Sequence, residues 1–382
     1  MKRRTWMGLG MAMALSLTAC GGGAKDTATT APEKAPAETT AGQEAKAEDK
    51  AGESANAAES DRPKYVKGED EVTGTITVYT TMEETQQAAL QELWNKYYPN
   101  CKMEIQADSV GTLATRIRGD ESCDADVVIG GMFAADGDKY HDILQPYTSV
   151  LDDEQMYHDA SGYYTYYDVQ VMCLVVNPEL RDELGIKIEG YEDLLQPELK
   201  GKIILAAPDS TSSGWRQLQT ILATMGDKFD DEKGWDYIKQ LIPSSFSTTS
   251  SKDVYNLVIN GEYVAGLSYE STVAALIKDG AQVDCVYMKE GNTAMAGGAA
   301  IVKNAPNLPA AEAMIDLLAS SEFQNVRASE SSGRGSNKNV DLQGLPSADT
   351  LGLVDLDYDY LSQNKDQICT KWNDLWAELN GK

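Results

Sequence analysis

Short apolar runs that alternate with helical segments set the fold class of this chain. Residues 75–79, 103–105 and 125–129 have the length and composition of buried strands. The two segments between them, up to residue 97 and over 111–119, have the periodicity of helices. This β-α-β-α-β order predicts a parallel sheet with helices packed against it. The chain is therefore expected to be an α/β protein.

Two longer apolar segments indicate that the chain builds two lobes. Residues 167–177 are too long and too apolar for a surface strand, and we interpret them as a strand that crosses between lobes. Residues 283–288 are a second candidate crossing strand. The order of strands and helices predicts a first lobe from 72–170 plus 286–382 and a second from 171–285. Each lobe is expected to be a three-layer α/β sandwich.

A run of hydroxyl side chains follows the strand predicted at residues 203–207. The residues between Pro208 and the helix that we predict from Trp215 are Asp209, Ser210, Thr211, Ser212, Ser213 and Gly214. Backbone N–H groups and hydroxyls at the positive end of a helix dipole bind anions without a formal positive charge. Alternatively, the run is only a helix N-cap, because Ser and Thr are common capping residues.

Other candidate binding residues lie where predicted strands end or begin. Ligands of open parallel sheets bind at the carboxyl ends of the strands. The candidates at such positions are Thr80, Thr81, Gly130, Gly131, Met132, Tyr269, Glu270, Ser271 and Gly298. For Thr80 and Thr81 the alternative is helix capping, and for Glu270 it is a solvated carboxylate at a strand end.

The N-terminus has the pattern of an export signal. Three basic residues precede an uncharged apolar run, and Leu-Thr-Ala-Cys20 then resembles the lipobox of bacterial lipoproteins. Residues 1–20 are therefore expected to be a lipoprotein signal peptide, and Cys20 would anchor the chain to the outer face of the cytoplasmic membrane (or to its periplasmic side in a cell with two membranes). An ordinary secretory signal is the alternative. Residues 21–71, rich in Ala, Glu, Lys and Thr, predict a disordered tether.

Charge and cysteine content exclude several classes of partner and site. The chain has 33 basic and 60 acidic residues, a formal net charge of −27, so nucleic acid and anionic membrane surfaces are poor partners. The cysteines after Cys20 are scattered and form no Cys-x-x-Cys or Cys/His motif, which argues against zinc; they are Cys101, Cys123, Cys173, Cys285 and Cys369. Their disulfide pattern is left open.

The chain resembles the solute-binding proteins of ATP-binding-cassette (ABC) importers, in the group of ferric-ion, thiamine and phosphorylated-solute binders. The matching segments are 75–81, 124–128, 191–202, 260–266, 305–307 and 317–324, in this order behind the lipobox. The resemblance implies a type II periplasmic-binding-protein fold, with two lobes joined by hinge strands that close on a ligand. It also implies permease and ATPase partners, membrane contact only through the N-terminal lipid, a monomeric state, and neither catalysis nor a cofactor.

The ligand is harder to assign. The ferric binders hold metal with adjacent tyrosines after the Gly-Glu-x-x-x-Gly segment, whereas this chain has Tyr269 alone, followed by Glu270 and hydroxyl residues. We therefore predict no metal, and a phosphorylated or phosphonate-bearing ligand is preferred. The hydroxyl run and the amides of Gly214 and Trp215 would hold the phosphate with Arg116, and Glu270 would bind a hydroxyl or amine at the other end.

Three alternatives to this function remain open at this point. Ferric iron is one, and thiamine or its phosphate is another, because Tyr269 and Trp215 would sandwich a ring. A lipoprotein that presents its ligand to a membrane sensor has the same sequence features. A hydrolase is disfavoured, because no histidine lies near a serine motif and no Gly-x-Ser-x-Gly segment is present.

Overall fold

The structure, a computed structural model, describes residues 62–68, 70–120 and 122–380. The predicted signal peptide, Cys20 and most of the predicted tether lie outside these residues. The ordered fold begins earlier than residue 72, where we placed the end of the tether. Val66 lies in a core cluster of the first lobe, and Tyr65 packs against that cluster. The Tyr65 hydroxyl also donates to Glu322 at 2.5 Å.

Strands and helices alternate along the described residues. The strands are β1 (Gly74–Thr80), β2 (Cys101–Ala107), β3 (Val127–Phe133), β4 (Leu144–Gln145), β5 (Thr165–Val176), β6 (Ile203–Ala206), β7 (Ser245–Thr248), β8 (Ala265–Tyr269), β9 (Asp284–Val286) and β10 (Ala294–Val302). The α-helices are α1 (Glu84–Tyr97), α2 (Val110–Gly119), α3 (Pro178–Glu183), α4 (Ser212–Thr224), α5 (Glu232–Leu241), α6 (Ser251–Ile259), α7 (Glu270–Lys278), α8 (Leu308–Ala319), α9 (Ser321–Ser331) and α10 (Tyr358–Asn380). None of these helices combines the length and apolarity needed to span a bilayer.

One long strand joins two sets of strands. The order along the sheet is β2-β1-β3-β10-β5-β8-β6-β7, and β1 runs parallel to both β2 and β3. The first half of β5 pairs with β10, from Thr165 to Val171, and the second half pairs with β8, from Met172 to Val176. This continuity is what the length and apolarity of the segment at 167–177 predict. The second expected crossing strand is only the three-residue β9, which pairs with the second half of β5.

Alternate side chains of each strand set face different helices. In the first set Val78 packs with α1 and α8, whereas its neighbour Tyr79 packs with α2. In the second set Leu174 packs with α4 and α5, whereas Val175 packs with α6 and α7. Because strand side chains point to opposite faces with a period of two, each set is covered by helices on both sides. This is the three-layer arrangement.

Three boundaries differ from the sequence-based expectation. Helix α4 begins at Ser212 and not at Trp215, so the hydroxyl run supplies its first turn. Strand β3 continues through Gly130 and Gly131, which we expected to follow it. Helix α10 packs its apolar side chains with the core of β6, α4 and α5, although residues 286–382 were expected to belong to the first lobe; these side chains are Leu361, Ile368, Cys369 and Trp372.

Candidate functional site

Two neighbouring cavities lie where strands of both sets end. The strand-end cavity, of about 400 Å³, is lined by 16 residues that include Thr81, Glu83, Gly130, Gly131, Phe133, Asp168, Gln170, Tyr269, Ser271, Thr272 and Arg327. The serine cavity, of about 470 Å³, is lined by residues that include Asp136, Lys139, Asp209, Ser210, Thr211, Ser212, Trp215, Arg216 and Lys365. Each cavity is lined by residues that belong to or follow strands of the first and the second set. They therefore lie where the predicted cleft was expected.

A larger cavity of about 830 Å³ lies elsewhere, between α7, β9 and the segment at 343–346. Its lining is mostly apolar, and the Nζ of Lys278 is bonded to the carbonyl of Ser329. The polar groups that converge on the two smaller cavities make those the better candidates for a polar ligand.

Two residues of the hydroxyl run are bonded within the fold, and the other two are exposed at the serine cavity. Thr211 is the N-cap of α4: its Oγ1 accepts from the Gly214 amide and donates to the Ala207 carbonyl, both at 3.0 Å. Ser213 is buried, and its hydroxyl lies 2.6 Å from that of Ser251. These two hydroxyls are therefore committed to the fold, and Ser210 and Ser212 remain exposed at the mouth of the cavity.

Gly214 is required by the packing of α4 on β6. A Cβ at this position would lie 2.3 Å from the carbonyl oxygen of Ala206 and 2.7 Å from that of Ala207. The glycine therefore lets the first turn of the helix approach the end of the strand closely, which places Ser212 in the cavity.

Arg216 stands between the two cavities. It lines the serine cavity, and its guanidinium carbon lies 5.5 Å from the ring of Phe133, which lines the strand-end cavity. Its Nη1 donates to Gln219 at 3.3 Å, and it has no carboxylate partner among the described residues. Burial raises the pKa of the Tyr269 phenol, while the charge of Arg216 and a contact with Ser212 oppose that rise. Arg216, Ser212 and Tyr269 thus form one polar group at the junction.

The two cavities differ in the sign of their charge. The charged side chains of the serine cavity are Lys139, Arg216, Lys365, Asp136 and Asp209, an excess of one cation. Asp136 bonds Lys139 at 3.1 Å, and Asp209 accepts from Asn373 and Ser210, which lowers the pKa of its carboxyl. The charged side chains of the strand-end cavity are Glu83, Asp168 and Arg327, an excess of one anion, with Arg327 paired to Asp168.

The glycines of β3 let other groups approach the strand-end cavity. Gly130 and Gly131 have φ values of 80° and 69°, which disfavour side chains. A Cβ on Gly130 would lie 2.5 Å from Oγ1 of Thr81, and one on Gly131 would lie 2.7 Å from Cβ of Val110. Two helices also begin at this cavity without a side-chain cap, α1 after Glu83 and α7 after Tyr269. Their first backbone N–H groups therefore lack a capping side chain.

Glu270 was expected to bind ligand, but it is an internal ion-pair partner. Its two carboxylate oxygens accept from Nε and Nη2 of Arg334 at 2.7 and 2.8 Å, and the Tyr287 hydroxyl donates a third bond at 2.6 Å. Only 1% of Glu270 and 2% of Arg334 is exposed. The hydrogen-bonding capacity of the Glu270 carboxylate is thus used by Arg334 and Tyr287, and we assign a structural role to this residue.

Besides Glu270, Ser213 and Gly214, four expected ligand contacts line neither cavity. Thr80 is buried, and its hydroxyl donates to the Ile129 carbonyl and accepts from the Met82 amide, so it stabilises the turn before α1 and does not cap the helix, whose N-cap is Glu83. Met132 is fully buried in the core, and a Cβ on Gly298 would lie 2.7 Å from the Thr165 carbonyl, within the sheet.

Arg116 is the fourth of these contacts. It lies over the ring of Tyr79 and bonds Gln106 at 2.5 Å, because it belongs to the last turn of α2, whereas Val110 in the first turn lies beside Gly131. Sequence reasoning missed Arg216 and Lys365. The position of Arg216 next to Trp215 was an available signal, whereas nothing near Lys365 in the sequence marks it.

Comparison with known proteins places the chain among exported binding proteins. The family model for bacterial extracellular solute-binding proteins matches residues 75–330. The structure of the periplasmic binding protein P5PA is similar with a TM-score of 0.62 at 25% identity, covering 79% of this chain and 99% of that one. A chain described as a two-component system protein that mediates signal transduction has a TM-score of 0.61 at 25% identity, covering 76% and 99%.

The periplasmic binding protein AfuA of Actinobacillus pleuropneumoniae, solved with fructose 6-phosphate, has a TM-score of 0.63 at 22% identity, covering 79% of this chain and 98% of that one. These likenesses confirm the type II periplasmic-binding-protein fold that the sequence predicts.

Proposed function

The chain belongs to the bacterial extracellular solute-binding proteins, and we propose that the solute it captures is a small molecule with a phosphate or phosphonate group. As a member of this family it is the solute-binding component of an ABC importer, and permease and ATPase subunits are its partners. The proposal concerns the ligand, the residues that bind it, and the anchoring of the chain through Cys20.

One observation carries the proposal: Arg216 faces the junction of the two cavities without an ion-pair partner among the described residues. A half-buried guanidinium without a carboxylate partner is unusual in a chain of net charge −27. Arginine offers a planar set of donors that matches phosphate oxygens. The Ser212 hydroxyl, the first turn of α4 and the Tyr269 phenol surround the same point and provide further donors.

The remainder of the solute would occupy the strand-end cavity. Glu83, Asp168 and Gln170 offer acceptors there, and Thr81 and Ser271 offer hydroxyls. These groups suit a part of the ligand that carries hydroxyls or an amine. These polar side chains therefore favour a polar phosphate ester or an aminophosphonate over an apolar phosphate compound as the ligand.

The two ligand alternatives within the importer group find less support. Tyr269 and Trp215 line different cavities, so they do not form the sandwich expected for a thiamine ring. For ferric iron, the adjacent tyrosine pair of the ferric binders is missing, because Tyr269 is followed by Glu270. Both ligands therefore enter the test as competitors.

A role in presenting solute to a membrane sensor is a second candidate function. It is favoured by the likeness to the two-component system protein, which is as high in sequence identity as that to P5PA. The cleft would bind the same class of ligand in either role. Co-purification with a permease or with a sensor kinase from membranes distinguishes the two.

The ligand proposal is tested by thermal unfolding of residues 21–382 with matched pairs of compounds. The pairs are fructose 6-phosphate and fructose, 2-aminoethylphosphonate and ethanolamine, and thiamine phosphate and thiamine, with Fe(III) as a separate sample. We expect the phosphorylated member of one pair to stabilise the protein by about 2.7 kcal/mol at 100 times its Kd, and its partner to have little effect. Selective stabilisation by Fe(III) with a tyrosinate colour, or equal effects within every pair, contradicts the proposal.

A further inference from the structure

We infer that Lys365 on α10 determines specificity in the solute site by selecting a dianionic group over a monoanionic one. This inference rests on the proposed phosphate-binding function. The family match ends at residue 330, so the helix that carries Lys365 lies outside the matched segment.

The packing of α10 brings Lys365 to the serine cavity. Leu361, one turn earlier, is 3% exposed and packs in the core that contains Trp215, and it also lines the cavity. The Lys365 ammonium lies 5.7 Å from the centre of the Trp215 ring, in the first turn of α4. A bond of 3.0 Å between Asn373 and Asp209 fixes the same helix to the loop before the hydroxyl run. The helix therefore holds its lysine at the edge of the site.

Lys365 and Arg216 are the two cations of this cavity that have no carboxylate partner among the described residues. Lys139 bonds Asp136, whereas the Asp209 carboxylate accepts from the neutral side chains of Asn373 and Ser210. Neither Arg216 nor Lys365 bonds Asp209, so the donors of both cations are available to a ligand. Two unpaired positive charges match the charge of a phosphate monoester or phosphonate above its second pKa, about 6. One positive charge is enough for a sulfate, a carboxylate or a phosphodiester.

The pH dependence of the affinity distinguishes selection of a dianionic ligand from a general attraction of anions to Lys365. The titratable and charged groups around the cavity are Asp136, Lys139, Asp209, Arg216 and Lys365; no histidine lines it. Histidine is the side chain that ordinarily changes charge between pH 5 and 8. A change in affinity over that range would therefore follow the ionisation of the ligand.

The experiment measures Kd by calorimetry at pH 5 and pH 8 on residues 21–382. The probe is the phosphorylated or phosphonate compound of the panel above that binds, and the reference is the same compound as its sulfate ester or sulfonate. The variants are Lys365→Met, Lys365→Arg and, as matched control, Lys371→Met. Lys371 lies on the same helix over the ring of Trp235 at 4.3 Å, outside the cavity.

In the wild type we expect the probe to bind about tenfold more tightly at pH 8 than at pH 5, and the reference to bind equally at both. Lys365→Met should lose most of that gain, and Lys365→Arg and Lys371→Met should keep it. The inference is overturned if Lys365→Met keeps the wild-type gain, or weakens probe and reference by the same factor. If no phosphorylated compound binds the wild type, the proposed function itself is refuted and the inference falls with it.

Discussion

Replacement of Glu270 by Gln tests whether this carboxylate belongs to the fold or to the solute site. The change keeps the shape of the side chain and removes its charge, which leaves the Arg334 guanidinium buried without a counterion. Because Glu270 and Arg334 are 1% and 2% exposed and share two bonds of 2.7 and 2.8 Å, the loss should fall in the range for broken buried pairs, about 3–5 kcal/mol. For a chain of this size, with an unfolding entropy of about 2.1 cal/mol/K per residue, that is a fall in Tm of about 4–7 °C.

The assay combines urea unfolding, thermal unfolding and calorimetry with the compound of the panel above that stabilises the wild type. Asp142→Asn is the control, because the Arg118–Asp142 pair is exposed and its loss should lower the free energy of unfolding by less than about 1 kcal/mol. The double variant Glu270→Gln, Arg334→Met should recover part of the loss, since no unpaired charge then stays buried.

The affinity of folded Glu270→Gln for the solute should change less than about threefold, since its carboxylate faces Arg334 and not a cavity. If this variant keeps its Tm within about 1 °C and loses more than tenfold in affinity, Glu270 is a ligand contact and the structural assignment is refuted.

Three further changes probe the site and its supports. Arg216→Gln should weaken binding of a phosphorylated solute by about 10- to 100-fold in calorimetry, the value of one bond to a charged group, with an unchanged Tm without ligand. Gly214→Ala should lower the free energy of unfolding by about 1–3 kcal/mol in urea, because its Cβ would meet backbone carbonyls, whereas Gly111→Ala, with open space around it, should be neutral or stabilising. Asp231→Ala should cost about 1 kcal/mol at pH 7 as the lost N-cap of α5. The bond from the Gly234 amide lowers the pKa of Asp231 in the folded protein, so this stabilisation is present above the unfolded pKa and is lost as pH falls through the folded one.

Each of these changes has an outcome that contradicts its reasoning. Wild-type affinity in Arg216→Gln would remove the arginine from the site. Equal stability of Gly214→Ala and Gly111→Ala would show that α4 moves away from β6 without strain. An effect of Asp231→Ala that is undiminished at pH 3 would show that it does not arise from the charged cap.

Local patterns in the sequence are enough for the strands, the helices and part of the cleft. Strand and helix periodicities reflect which face of an element is buried, so the β-α-β-α-β order and the long strand β5 are confirmed by the structure. Thr81 and Gly131 were expected near Tyr269 and Ser271, and all four line the strand-end cavity. They come together because strand ends in an α/β sheet meet at one edge, a rule that needs no tertiary information.

The choice between neighbouring candidates was decided by packing. Thr80 and Thr81 have the same chemistry, but Thr80 ends strand β1 and is buried with its hydroxyl bonded to the Ile129 carbonyl, whereas Thr81 follows the strand and lines a cavity. The hydroxyl run likewise divides into two buried or capping residues and two exposed ones. Sequence indicates the segment in such cases, and the side-chain direction follows only from how the segment packs.

The sequence alone determined the class of this protein: an α/β fold, an acidic chain, and a polar cleft with hydroxyl residues at a helix start. Only the tertiary structure decided which charged side chains line that cleft. Glu270 is an internal ion-pair partner because Arg334, distant in sequence, reaches it. Lys365 lines the same cavity as Ser212 because α10 packs on the core of the second strand set. The free energy of a charge depends on its burial and its counterions, and residues remote in the chain supply both.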